Sequence, residues 1–194
     1  MGTSNKTRAL DKKEAELMSE TFTGKYELRN RALFILGCKT GFRVNELLRL
    51  TIGHVIQNGK PASRITITKT KNKKPRSVAF HPEAQAAVME WVKQLESLGI
   101  TKASNPLFIS QKDKSQSMSR IQAYRIIKDA AEANGLDGTV GTHSMRKTLG
   151  MRAWEVTNGN IYKVAEVLGH TDVNSTRHYL DIDQTEIDDI VLSV

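Results

Sequence analysis

The sequence predicts an α+β fold that is mostly helical and contains one small three-stranded antiparallel β-sheet. Apolar residues recur at helical spacing before residue 54 and after residue 80, whereas between these positions the period changes to two. That middle segment contains the turn pair Asn58-Gly59, a strong hairpin signal, followed by a β-branched run at 64–68. These observations predict helices, a short meander and then helices to the end, within one domain.

The first helices are predicted from their ends. Asp11, with Glu14 three residues later, is a capping-box pattern that starts a helix. A second helix should cover residues 25–39 and end at Gly41, a residue suited to a left-handed C-cap. Apolar spacing predicts that a further short helix begins near Arg43.

The predicted strands flank a strongly basic turn. After the run at 64–68, residues 71–75 should form a turn and residues 76–80 should return as the third strand. The turn and its approach contain four lysines, Lys69, Lys71, Lys73 and Lys74. Taken alone, such a turn is most simply interpreted as a solvated hairpin tip.

The rest of the chain is predicted to be helical. Pro82 suits a first helical position, and the helix that it opens should stop at Gly99. Ser119 should cap another helix that ends before Gly135. The last helices are expected near 143–156, 160–168, 173–180 and 185–192.

Composition favours a globular protein with a polyanionic partner. The 194 residues are 39% hydrophobic and 26% charged, which is enough to bury a sizeable core. The net charge of +8 and the pI near 9.6 favour nucleic acid as that partner. Cys38, the single cysteine, excludes a disulfide framework and is predicted to be a small core residue. No apolar run approaches membrane-spanning length, so we expect a cytoplasmic, nucleoid-associated protein.

The sequence has no motif for nucleotide or metal chemistry. A P-loop pattern is absent. No carboxylate cluster suits two-metal catalysis, and His143 and His170 lack the further ligands of a metal site. The chain instead offers guanidinium, imidazole, ammonium and phenol groups, which together could cleave a phosphodiester without a metal.

The first candidate site residue is Arg43, which follows a Gly-Phe turn at the head of a predicted helix. The planar fork of arginine can hold two phosphate oxygens. Glu46 lies three residues on, on the same helical face, and could orient the arginine. The alternative interpretation is a surface arginine in an i, i+3 ion pair.

Four further candidates lie near the C-terminus. His143 and Arg146 are three residues apart, so a helix places a proton-handling group beside a possible phosphate clamp. His170 follows the expected helix stop at Gly169, where an imidazole can donate to an anion. Tyr179 comes nine residues later. Taken alone, it would be interpreted as a buried core phenol.

Taken in order, these pieces resemble one family. The series begins with T-G-F-R-V-N-E-L at 40–47 and a lysine in a β-turn, and continues with H-S-M-R at 143–146, L-G-H at 168–170 and Tyr179. It is similar to the catalytic domain of the tyrosine recombinases, the phage-type integrases. The resemblance implies their DNA breaking-rejoining fold over residues 1–194. Separately, we expect residues 1–9 to be flexible.

The resemblance implies a role for each matching residue. Tyr179 would attack the scissile phosphate, forming a 3′-phosphotyrosyl link and freeing a 5′-hydroxyl. Arg43 and Arg146 would hold the non-bridging oxygens. His170 would add a hydrogen bond to the phosphate, and His143 would assist proton transfer to and from the tyrosine.

The remaining implied roles concern the leaving group and the support of the site. Lys71 would protonate the leaving 5′-oxygen, with Lys69 as the alternative lysine. Glu46 matches the acidic position that supports the site. No metal and no cofactor are expected, because the covalent link conserves the energy of the phosphodiester bond.

The implied function is site-specific DNA recombination, including DNA integration by a mobile element. The expected partner is double-stranded DNA with specific recombination sites. We expect the additional N-terminal core-binding domain of most members to be absent, and the tail helix at 181–194 to dock on a neighbouring subunit of a tetramer. Two alternatives stay open: a topoisomerase IB-like relaxing enzyme, and a non-catalytic DNA-binding regulator on the same fold.

Overall fold

A computed structural model describes residues 6–69, 73–180 and 192 of the chain, and at Lys69, Lys73, Lys74 and His178 it describes only the backbone. The helices in these ranges are α1 Lys12–Thr21, α2 Glu27–Thr40, α3 Val44–Leu47, α4 Ile52–Val55, α5 Pro82–Ser97, α6 Arg120–Ala133, α7 Thr142–Val156, α8 Ile161–Leu168 and α9 Val173–Leu180. The strands are β1 Ile56–Gln57, β2 Lys60–Pro61, β3 Arg64–Lys69 and β4 Lys73–Ala79. The α+β, mostly helical class is confirmed. The last predicted helix, 185–192, lies outside the described residues except for Leu192.

The helix ends form as their sequences predict. The Asp11 carboxylate accepts from the backbone N–H of Glu14, and the Glu14 carboxylate accepts from that of Asp11, which completes the capping box. Arg8 in turn pairs with Glu14 at 2.6 Å and donates to the carbonyl of Asp137. These contacts connect Arg8 to the start of α1 and to the segment that follows α6. Ser119 caps α6 through its hydroxyl, and Pro82 occupies the first turn of α5.

The predicted three-stranded sheet is wrong in detail. The described strands form two separate two-stranded antiparallel ladders, β1 with β2 and β3 with β4. His54, predicted in the β segment, lies in α4, because its imidazole accepts the N–H of Thr51 and closes a helical turn. The first hairpin is only two residues long on each side and mostly exposed, so it has no apolar face with which to extend a sheet.

The main core surrounds α2, which packs against α5 and α7. Trp91 of α5 is fully buried, and its indole N–H donates to the carbonyl of Leu107 at 2.7 Å. Cys38 is buried, as predicted, and burial raises the pKa of its thiol to about 12. Helix α2 therefore carries the Thr40-Gly41-Phe42-Arg43 segment on a rigid support.

A second, smaller apolar cluster holds the last two described helices against α7. Val164 and Leu168 of α8 and Leu180 of α9 are its buried members, and Tyr179 packs at its edge. Because this cluster lies beside α7, it brings the end of α8 and the face of α9 next to His143 and Arg146. Within the described ranges, no helix has the length and apolar character needed to cross a membrane.

Candidate active site

A cavity of about 920 Å³ opens where α3, α4, β3, α7 and α9 meet. All of the predicted site residues whose side chains are described line it. The lining consists of Arg43, Glu46, Arg49, His54, Ile67, Thr68, His143, Arg146, Gly169, His170, Thr171, Ser175 and Tyr179. Residues that lie up to 136 positions apart in the sequence (43 to 179) therefore meet in one place.

Arg43 stands at the cap position of α3, immediately after the left-handed end of α2. Gly41 has φ +58°, a left-handed conformation that favours glycine, and a Cβ there would lie 2.8 Å from Leu149 Cδ2. The Glu46 carboxylate accepts the backbone N–H of Arg43 at 2.8 Å and lies 3.8 Å from its guanidinium. The predicted i, i+3 pair thus forms, and it leaves the exposed guanidinium facing the cavity.

Among the predicted site residues whose side chains are described, Arg146 is the most deeply buried, at 2% exposure. Its guanidinium donates to the carbonyl of Gly41 and, at 2.6 Å, to the carbonyl of Leu168. Burial lowers its pKa to about 10, and the positive charges of Arg43 and Arg76 add to this effect. Two of its five N–H groups are held by main-chain carbonyls, which fix the orientation of the others.

Burial lowers the pKa of both histidines. Burial, followed by the charges of Arg146, Arg43 and Arg76, lowers the pKa of His170 to about 4. Burial and nearby arginines also lower the pKa of His143 from its ordinary value. His170 follows Gly169, a left-handed C-cap with φ +64°, and its Nδ1 lies 2.7 Å from the Thr176 hydroxyl.

Tyr179 lies on α9, with its ring beside His170 and Arg146. Its hydroxyl donates to the main-chain carbonyl of His143 at 3.3 Å. The ring meets that of His170 edge-on, with centroids 5.5 Å apart, and the Arg146 guanidinium lies 5.8 Å from the ring. Burial raises the pKa of Tyr179 to about 12, and the charges of Arg146 and Arg43 oppose that rise.

The structure also shows an arginine that the sequence analysis did not identify. Arg76 of β4 is buried, and its guanidinium lies 3.6 Å from the Glu46 carboxylate and 4.9 Å from the Phe42 ring centroid. The strand alternation could have indicated it: Arg76 and Val78 point inward, whereas Ser77 and Ala79 are exposed. An arginine at an inward strand position needs buried partners.

Two predicted elements of the site, the hairpin lysine and the tail, lie wholly or mostly outside the described residues. Lys71 lies outside the described residues, and Lys69 is described only as backbone, opposite Lys73 in the β3–β4 ladder. The tail 181–194, apart from Leu192, also lies outside them. In the described part of the chain, no group of three or more histidine, cysteine or carboxylate side chains could hold a metal ion.

Comparisons with known proteins agree with this geometry. A model described as the phage integrase family matches residues 8–186. The probable integrase/recombinase YoeC of Bacillus subtilis (strain 168) is 32% identical over 156 residues, which cover 80% of this chain and 79% of YoeC. The tyrosine recombinase XerD of Corynebacterium glutamicum is 31% identical over 156 residues, which cover 80% of this chain but only 49% of XerD.

The fold also matches a solved structure. The crystal structure of XerA recombinase aligns with a TM-score of 0.75 over 100% of this chain and 66% of XerA, at 22% sequence identity. At that identity the likeness is one of fold. Since the family model covers most of the sequence and the matching side chains surround one cavity, the chain belongs to the phage integrase family, the tyrosine recombinases.

Proposed function

We propose that this chain is the DNA-cleaving domain of a site-specific recombinase, which breaks and rejoins double-stranded DNA through a 3′-phosphotyrosine intermediate. The observation that carries the proposal is the Tyr179 hydroxyl, which lies in a cavity lined by arginine and histidine side chains. A buried core phenol, the simpler interpretation of Tyr179, would not line an open cavity beside Arg43 and Arg146.

The charge balance of the cavity supports an anionic substrate. After burial, which is the largest cause, the charges of Arg43, Arg76 and Arg146 lower the pKa of His170, and those of Arg43 and Arg76 lower the pKa of Arg146. In the described part of the chain, Glu46 is the one carboxylate within ion-pair distance of any of these arginines. A phosphate diester would relieve this repulsion, and its two non-bridging oxygens suit the guanidinium forks of Arg43 and Arg146.

The first chemical step is attack by Tyr179 on the scissile phosphorus. With a pKa of about 12, the phenol is protonated near pH 7 and must lose its proton as it attacks. The lowered pKa of His143 keeps its imidazole neutral near that pH, so it can accept this proton. The Tyr179 Oη–phosphorus bond forms as the bond from phosphorus to the 5′-oxygen breaks.

The leaving 5′-oxygen then needs a proton. We assign this step to Lys71, with Lys69 as the alternative, on the sequence match alone. Rejoining reverses the sequence: a 5′-hydroxyl attacks the phosphotyrosine, and Tyr179 leaves with a proton. One phosphorus–oxygen bond forms for each that breaks, so the proposed cycle requires no nucleotide, redox cofactor or metal.

The proposal extends to partners. We propose that the DNA carries specific recombination sites, that integration of a mobile element is one use of the reaction, and that the protein acts within the nucleoid. We also propose that four chains assemble on DNA, with the tail at 181–194 of each docking on a neighbour. The apolar residues of that tail, Ile182, Ile187, Ile190 and Val191 among them, support this assembly.

A suicide substrate tests the chemistry. A nicked duplex library made from DNA that flanks the gene is incubated with the protein and with Tyr179→Phe in excess chelator. When the protein cleaves next to the existing nick, the short strand with the free 5′-hydroxyl diffuses away. The covalent intermediate therefore accumulates. We expect an adduct that survives denaturation with the wild-type chain, none with the variant, and a free 5′-hydroxyl that polynucleotide kinase can label.

Two further assays with the same protein separate the alternatives. Strand exchange that requires two specific sites supports recombination, whereas relaxation of plasmid DNA without such sites indicates topoisomerase-like activity. DNA binding with no adduct from any sequence indicates a non-catalytic regulator. An adduct from Tyr179→Phe would move the nucleophile elsewhere and contradict the proposal.

A further inference from the structure

Arg76 is a buried cation whose hydrogen-bond partners lie at the ends of two helices, α2 and α8. At 8% exposure, its guanidinium donates to the carbonyls of Thr40 at 2.9 Å, Gly41 at 3.3 Å and Val167 at 2.9 Å. The first two carbonyls end α2 and the third belongs to the last turn of α8. Both are helix C-termini, where unpaired carbonyls carry partial negative charge that attracts a cation.

Arg76 and Arg146 bridge the same two segments. Both donate to the carbonyl of Gly41, and Arg146 donates to Leu168, the neighbour of the Val167 that Arg76 contacts. One bridged segment leads within two residues to Arg43, and the other leads within two residues to His170. The hydrogen bonds from Arg76 and Arg146 to these carbonyls therefore set the distance between Arg43 and His170, the two groups proposed to bind the phosphate.

The chain makes room for this side chain at a structural cost. Gly169 has a left-handed φ of +64°, and a Cβ there would lie 2.9 Å from Arg76 Cδ and Nε, so the glycine leaves room for the Arg76 side chain. Burial lowers the pKa of Arg76, which reflects the cost of removing the charge from water. Packing alone would be served by an apolar residue at this inward strand position.

We propose that Arg76 is a positioning residue for the phosphate clamp. It fixes Arg43 and His170 relative to Arg146, and it leaves the remaining N–H groups of Arg146 directed at the scissile phosphate. This inference rests on the proposed function. Arg76 also joins the β3–β4 hairpin to the clamp, since β4 is the strand that carries it.

The test compares Arg76→Met and Arg76→Lys with Arg64→Met, a matched control on the same hairpin. Arg64 is exposed, and among the described residues its side chain donates to Ser77, away from the clamp. Each variant cleaves two suicide substrates, one with an ordinary scissile phosphate and one with a methylphosphonate. The methyl group replaces one charged oxygen, so the clamp has less charge to stabilise.

We expect Arg76→Met to cleave the ordinary substrate about 100-fold more slowly than the wild type, a loss similar to that of one oxyanion donor. On the methylphosphonate, the loss should shrink to about tenfold or less, because less charge develops there. Arg76→Lys should cleave at a rate between those of the wild type and Arg76→Met, since one ammonium cannot reach three carbonyls. Arg64→Met should cleave both substrates at the wild-type rate.

Two results would overturn the inference. An equal loss on both substrates would mean that Arg76 only supports the fold, and a wild-type rate for Arg76→Met would mean that it positions nothing. A readout without catalysis keeps the inference separate from the proposed function. Removing the Arg76 charge should raise the pKa of His170 in an NMR titration, even if no chain forms an adduct. An unchanged His170 pKa would place Arg76 outside the clamp.

Discussion

Replacing Glu46 by glutamine should change stability and anion affinity in opposite directions. The carboxylate accepts the N–H of Arg43 at 2.8 Å and pairs with Arg76 at 3.6 Å, where the two side chains are 16% and 7% exposed. Glutamine keeps the size and an oxygen that can accept the Arg43 N–H. The change therefore removes the negative charge and little else.

The magnitude follows from the separation and the burial. At 3.6 Å and an effective dielectric constant near 20, two unit charges attract by roughly 4 to 5 kcal/mol, of which desolvation leaves about 1–3 kcal/mol net. We expect Glu46→Gln to lower the free energy of unfolding by that amount. With one negative charge fewer beside them, Arg43, Arg76 and Arg146 (the arginine cluster) should bind pyrophosphate about three- to tenfold more tightly at low salt.

Urea unfolding gives the stability, and calorimetric titration with pyrophosphate gives the affinity. Glu90→Gln is the control, because Glu90 pairs with Arg31 at 3.5 Å but is 51% exposed. That variant should change the free energy of unfolding by less than about 0.5 kcal/mol and leave the pyrophosphate affinity unchanged. Weaker pyrophosphate binding by Glu46→Gln would refute the idea that the cluster has an excess of positive charge directed at an anion.

Three other predictions concern pH, backbone conformation and DNA contact. Because the pKa of His170 is about 4 in the folded chain and 6.5 ordinarily, the unfolded chain binds more protons between these values. The free energy of unfolding should therefore fall as pH drops through that window, and His170→Asn should make it fall less. Gly169→Ala should destabilise the fold more than Gly135→Ala in urea unfolding. Both glycines have φ near +60°, but an added Cβ meets Arg76 at 2.9 Å at the first and nothing within 4 Å at the second. Equal losses would contradict that contact. Arg49→Ala removes an exposed cation at the cavity. It should weaken DNA binding and reduce the slope of log affinity against log salt by about 0.9, and an unchanged slope would exclude a phosphate contact.

Local signals in the sequence predicted the helices and most of the site. Capping residues such as Asp11 and Ser119 act over three or four positions, so their effect can be predicted without the fold. Gly41 and Gly169 end their helices in the left-handed conformation, which glycine adopts more easily than other residues. The site residues follow these helix ends, and their order along the chain is what resembles the family.

Contacts between distant segments could not be predicted in the same way. Arg76 donates to the carbonyls of residues 40, 41 and 167. Because every residue has a main-chain carbonyl, the identities of these three residues do not indicate the contact. The contact between the Tyr179 hydroxyl and the His143 carbonyl is hidden for the same reason. The sheet prediction failed because a period of two does not show which strands pair, and a Thr51–His54 turn interrupted the first strand.

The central claim is that Tyr179 becomes covalently attached to a 3′-phosphate of DNA, and peptide mapping of the trapped adduct tests it most directly. Trypsin cleaves after Arg177 and releases the peptide 178–194. This peptide contains no lysine or arginine, and Tyr179 is its one tyrosine. After nuclease digestion, we predict that this peptide carries a nucleotide joined to Tyr179 through its 3′-phosphate. An adduct on any other residue, or one joined through a 5′-phosphate, would contradict the account.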